Sequence, residues 1–262
     1  MRKISFDVWY VKLLFLFLVL YLWNNAYLYL ISRIGYKLSH DIVYLLIYVV
    51  SYTFLLIVVP IFYKPVKNIY KNHNSSYIYH FIILMIVIYL TSFIKSYFNL
   101  TYKIRNVEIT NSFLIVFVSQ IFIAPILEEY FFRGILLNNF IQKKKILIGV
   151  ILTSILFALA HFPLLFDKNS FSLINFFDIT IFGIVLAIIR VFLGLKYSII
   201  AHSFRNLLIF FFNYKILDLF LIDKITSKSL FEFVYIINIV VIIGIILYYF
   251  SLFNKKRKYI TG

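Results

Sequence analysis

Six polar residues set in apolar surroundings carry the chemistry open to this sequence. Glu128, Glu129 and Arg133 fall in the stretch 124–134, His161 ends Phe157-Ala-Leu-Ala-His161, and His202 and Asn206 share Ala201-His-Ser-Phe-Arg-Asn206. Glu129 and Arg133 are four residues apart, so on a helix they pair along one face, while Glu128 is rotated about 100° away and left without that partner. His202 and Asn206 have the same spacing and can project together into one cavity. A carboxylate that takes a proton from water, with imidazole and carboxamide donors that stabilise an oxyanion on a carbonyl, is a hydrolytic set. Each member has a plainer role. Glu129 with Arg133 is a helix-surface or interhelical ion pair, a single intramembrane histidine bonds a neighbouring helix, and asparagine holds helices together. Asp178 falls in the outer part of its span, where it meets water or a partner. Arg205 points about 100° away from Asn206, which suits a structural or headgroup role.

The elements that position these residues are hydrophobic helices. Of the 262 residues 63% are hydrophobic, with 31 Phe and 22 Tyr, more apolar surface than a soluble domain of this length buries. The expected fold is all-α, a polytopic integral membrane protein in one domain, 1–262, of about eight transmembrane helices. The expected spans are 9–31, 42–62, 77–99, 111–137, 146–166, 172–193, 197–213 and 231–253, with polar connectors at 63–76, 101–110 and 214–230. Each has about the 20 residues that cross a bilayer. The start resembles a signal peptide but lacks a small-residue cleavage site, so 9–31 reads as an uncleaved span. His40, His73 and His80 fall at span ends or in a loop and read as interfacial.

The net charge of +16 sits in short loops and tails, a topology signal that argues against a nucleic-acid partner. Even span number puts both termini on one side. That side carries 14 Lys and Arg, among them Lys143, Lys144, Lys145 and the run 255–258, against 8 opposite. Both termini are therefore expected in the cytoplasm of a multi-pass cell-membrane protein. Without cysteine there is neither a disulfide framework nor a thiolate metal site. Pro125 and Pro163 free the carbonyls expected at Ile121 and Leu159. Broken backbone at membrane depth is tolerated where it lines a cavity, so both breaks favour one shared cavity in spans four to seven. Counting from the same membrane face puts Glu128 about 15 Å deep and His161 about 22 Å, a mismatch for tilt and kinks to absorb.

These residues resemble a known family. Glu128-Glu129-Tyr-Phe-Phe-Arg133 resembles the EExxxR motif of the CPBP intramembrane proteases, which join CAAX prenyl proteases with bacterial bacteriocin-processing and immunity proteins (Abi). Phe157-Ala-Leu-Ala-His161 looks like its FxxxH motif and His202-Ser-Phe-Arg-Asn206 like its HxxxN motif, over about 110–213. Each motif alone is short; three in order on separate hydrophobic spans are specific. The resemblance implies an intramembrane endopeptidase. In it Glu128 activates water with help from His161, His202 and Asn206 stabilise the oxyanion, and Glu129 and Arg133 hold the motif helix.

The family is often labelled metalloprotease. Glu128, His161 and His202 can supply three zinc ligands and leave the open position that catalysis needs. The spacing is not HExxH, and ligation by Glu128 removes the base, so metal-free hydrolysis is favoured over zinc. The implied substrate is a membrane-associated protein or peptide. The excess of Ile, Asn, Lys, Tyr and Phe fits an AT-rich bacterial genome, which turns the expectation from prenylated proteins to bacteriocin maturation or self-immunity. The competing class is a non-catalytic membrane immunity or regulatory partner that keeps the fold. A transporter is disfavoured because no repeat is visible.

Overall fold

The computed structural model describes residues 79, 81–89, 114, 117–161, 173–213, 237 and 240–252. All of the regular structure among them is helical. The first two expected spans, the three polar connectors, His40, His73, His80 and Pro163 lie outside the described residues.

The helix that carries the glutamates is not uniform, and Pro125 is one reason. Four segments follow one another without a break: a π-helical turn Ser119–Ile123, an α-helical Ala124–Glu129, a second π-helical stretch Tyr130–Leu136 and an α-helical Leu137–Gln142. We call this composite helix α1. Proline has no amide hydrogen and crowds the carbonyl one turn back, and a wider turn relieves that crowding. The Ala124 N–H accordingly reaches back five residues to the Ser119 carbonyl. At the far end of the second wide stretch the Leu137 N–H bonds the Phe132 carbonyl. Glu128 and Glu129 occupy the short α-helical stretch between the two π segments, an arrangement that recurs at functional sites.

Helix α1 runs to Gln142, beyond the expected end at 137, because the apolar run does not stop it; the lysines do. Lys144 adopts φ 57°, and the Lys145 N–H closes on the Phe140 carbonyl at 2.9 Å. Helix α2, Ile146–Ala160, starts directly afterwards. It ends before the expected 166: the His161 N–H turns back to the carbonyls of Ala158 and Leu159. Helix α3 spans Leu173–Phe192 and α4 spans Leu195–Asn213. Gly194, at φ 108°, makes the tight reversal between them, a left-handed conformation that suits glycine at a helix C-terminus.

Two glycines set how closely these helices approach. A Cβ on Gly149 would lie 2.4 Å from Phe140 Cβ, so the beginning of α2 packs directly on the end of α1. A Cβ on Gly183 would lie 3.0 Å from Ser154 Cβ, which brings α3 against the middle of α2. Ser154 and Thr153 return their hydroxyls to their own helix, at Val150 O (2.6 Å) and Gly149 O (2.8 Å), and so remain buried without a cross-helix partner. Residues of the helical segments 81–89 and 240–252, Leu84, Val87, Ile88, Ile242, Ile246 and Tyr249, complete the core.

Burial is distributed as in a protein solvated by lipid. Glu129, Arg133, Arg190, Ser198, His202 and Arg205 are buried, while Ile82, Ile86, Phe122, Ile126, Ile148, Leu152, Ile200, Val240 and Leu247 face outward. Charged groups inside and large aliphatic groups outside reverse the usual order of a soluble domain. Among the described residues no helix is long and apolar enough to cross a membrane. The eight expected spans are therefore not displayed by the described helices; α3 comes nearest, with 20 residues that include Asp178 and Arg190.

Candidate active site

Glu129 is fully buried and has three partners, one by an ion pair and two by hydrogen bonds. Arg133 Nη1 lies 3.0 Å from its Oε1, His202 Nδ1 lies 3.1 Å from the same oxygen, and Ser198 Oγ donates to Oε2. Spacing alone gave it one partner, Arg133. The fold adds two from α4, where Ser198 and His202 are themselves four residues apart and face α1 together. A carboxylate buried this deeply stays in place only when its lone pairs are met by donors.

Arg133, equally buried, is held by more than its ion pair. Its Nη2 donates to the Gly183 carbonyl at 3.1 Å, and its guanidinium lies 4.3 Å from the Phe157 ring centroid. The close approach that Gly183 allows between α2 and α3 is thus also what brings a carbonyl within reach of Arg133. Arg190 Nε contacts the Arg133 carbonyl at 3.4 Å. Phe157, the first residue of the FxxxH pattern, is a hub: its ring also meets Phe132 (5.2 Å), His161 (4.5 Å) and His202 (5.8 Å).

Glu128 faces the two histidines. Its Oε2 is 3.7 Å from His161 Nε2 and 3.8 Å from His202 Nε2, and its side chain is 12% exposed. The tautomers follow from the partners. His161 Nδ1 lies 2.8 Å from the Phe157 carbonyl, which can only accept, so Nδ1 carries the hydrogen. His202 Nδ1 faces the Glu129 carboxylate and donates likewise. Both rings therefore turn Nε2 toward one carboxylate oxygen. The separations exceed a direct hydrogen bond of about 2.7–3.2 Å. Despite the expected mismatch in depth the groups meet: α2 ends at Ala160, and the ring of the capping His161 approaches Glu128 from the helix terminus.

Asn206 shares the His202 face but sends its amide elsewhere. Nδ2 donates to the Gln120 carbonyl at 2.7 Å, in the first π turn of α1. Arg205 pairs with Asp178, Nη2 to Oδ2 at 2.6 Å, and stacks 3.9 Å from the Phe182 centroid. Phe182 in turn meets the His202 ring edge-on at 5.2 Å. Asp178 and Arg205, read separately from sequence, are thus one ion pair behind His202.

The structure brings Glu128, Glu129, Arg133, His161 and His202 together and ties Asn206 to the same helix. Ser198 is the contributor that sequence reasoning missed; its only signal was a position four residues before His202. The three candidate zinc ligands meet at Glu128 Oε2. Even so, no group of three or more His, Cys, Asp or Glu side chains among the described residues is arranged to hold a metal ion.

Residues 110–208 match the family described as type II CAAX prenyl endopeptidase Rce1-like. Comparison with curated proteins and with solved structures gives no match. The matched segment contains the two glutamates, Arg133, both site histidines and Asn206, the residues on which the resemblance to CAAX proteases rests. Over residues 110–208 the chain is thus similar to the CAAX protease family.

Proposed function

We propose that the protein is a glutamate-dependent intramembrane endopeptidase that cuts a membrane-associated protein or peptide. The observation that carries this reading is the convergence of His161 Nε2 and His202 Nε2 on Glu128 Oε2, at 3.7 and 3.8 Å, between a buried His202 and a His161 that reaches the surface. A water held among these three atoms meets a carboxylate that takes its proton and an imidazole that orients it. The resulting hydroxide adds to the scissile carbonyl, and the electron pair moves to oxygen. His202 stabilises that oxyanion when Nε2 also bears a hydrogen, as an imidazolium whose charge Glu129 balances through Nδ1. Collapse of the tetrahedral species breaks the C–N bond, and the proton on Glu128 passes to the leaving amine.

Glu129 and Arg133 hold this arrangement without meeting the substrate. No step needs a metal, and the donor set supports hydrolysis by carboxylate and imidazoles alone. Eight membrane spans with cytoplasmic termini complete the proposal, in line with the basic loop 143–145 and the apolar outer surface. For a bacterial chain the fitting substrates are a bacteriocin-like precursor or a peptide met in self-immunity.

The test is Glu128→Gln, which keeps shape and removes the base. Accumulation of an uncut membrane peptide is the expected result. An unchanged phenotype would support the non-catalytic immunity or regulatory partner instead.

A further inference from the structure

We infer that Asn206 is a positioning residue that fixes the register of the first π turn of α1 and thereby aims Glu128. The inference deepens the proposed active site and rests on that reading for its functional meaning, but its geometric basis is independent of any hydrolysis.

The Gln120 carbonyl has lost both helical donors. In the five-residue register of this turn its donor would be residue 125, which is proline and has no N–H. In the four-residue register its donor would be Ala124, whose N–H bonds the Ser119 carbonyl instead. A carbonyl left unpaired is costly where water cannot meet it, as in membrane surroundings. Asn206 Nδ2, reaching across from α4, lies 2.7 Å away and meets it. Beside the break expected at Ile121, Asn206 closes the Gln120 carbonyl.

The consequence for Glu128 is rotational. A π turn absorbs one extra residue, so every later side chain is turned by about 100° from where an uninterrupted α-helix would put it. Glu128 lies eight residues beyond Gln120. Its approach to His161 and His202 depends on the wide turn that Asn206 stabilises. Because Asn206 shares a helix with His202, one face of α4 both supplies an imidazole and sets the direction of the carboxylate it meets.

A double-mutant cycle tests this on the full chain in detergent micelles, with Pro125→Ala, Asn206→Ala and the pair. The Pro125→Ala change restores an N–H, so the backbone itself can serve Gln120 and Asn206 becomes dispensable. Asn206→Ala should lower Tm by about 4 °C in the parent and by less than about 1 °C in the Pro125→Ala background. Labelling of Glu128 by a hydrophobic carbodiimide, read by mass spectrometry, reports its orientation. Its rate should change severalfold on Asn206→Ala in the first background and not in the second. Asn206→Asp, isosteric but without the donor as a carboxylate, should reproduce both patterns and guards against a misfolded alanine variant. Equal Tm losses in the two backgrounds, or Glu128 labelling indifferent to Asn206, would overturn the inference. Neither readout requires peptide cleavage, so a catalytically silent protein can pass and an active one can fail.

Discussion

Glu129 holds His202: Oε1 lies 3.1 Å from Nδ1, in a site where both side chains are buried. The contact fixes the imidazole tautomer and directs Nε2 at Glu128. The second glutamate of the pair is therefore more than the partner of Arg133. It connects the ion pair of α1 to the ring that faces Glu128.

Replacing Glu129 with Gln should be severe in two ways. Arg133, with no exposed surface, would lose its counter-charge, and breaking a buried ion pair from one side costs about 3–5 kcal/mol. His202 would also lose the carboxylate that accepts from Nδ1 and orients its ring. Thermal unfolding in detergent should show a large drop. A paired change, Glu129→Gln with Arg133→Met, should recover much of the stability, because neither charge of the pair is left buried alone, but none of the activity. Recovery of activity by the pair would reduce Glu129 to a structural role.

Ser198→Ala tests the same node more gently. The hydroxyl donates to Glu129 Oε2 and also approaches the Leu186 carbonyl at 3.3 Å. Loss of one hydrogen bond to a charged group costs about 1.5–3 kcal/mol. We expect a measurable fall in Tm with correct membrane insertion and reduced turnover. A variant as stable and as active as the parent would show that Arg133 and His202 alone suffice to hold Glu129.

Glycine substitutions should rank by the space each position offers. Gly149→Ala forces a methyl to 2.4 Å from Phe140 Cβ, whereas Gly183→Ala brings one to 3.0 Å from Ser154 Cβ. Overpacking of this kind costs about 1–3 kcal/mol, and Gly149→Ala should sit at the upper end. Gly183→Ala should nonetheless impair activity more for its stability cost, since it displaces the carbonyl that holds Arg133. Tm and turnover measured on both variants give the comparison.

The residues that cluster in the candidate site were largely legible in the sequence, for a physical reason. Ionisable residues inside apolar runs are costly, so Glu128, Glu129, Arg133, His161 and His202 stand out. Helical spacing then separated Glu128 from the Glu129–Arg133 pair. Ser198 did not stand out because a serine in an apolar helix usually bonds its own backbone, as Ser154 does. The π turns were hidden for a different reason: turn width is settled by backbone bonding across several residues and by tertiary partners. Pro125 announced a break, but whether the freed carbonyl is at 121 or 120 depends on a register that only the contact with Asn206 reveals. Helix ends shifted likewise. The run 111–137 gave no stop, and the stop came from the lysine turn at 143–145.

The central claim is that Glu128 is the base, poised between two imidazoles. The most direct measurement compares Glu128→Gln with the parent in the native host, using quantitative mapping of new peptide termini in the membrane fraction. The account predicts a variant that inserts and unfolds like the parent while at least one membrane peptide remains uncut and its new terminus disappears. An identical set of termini from the two strains, with the variant present at the parent's level, would contradict it.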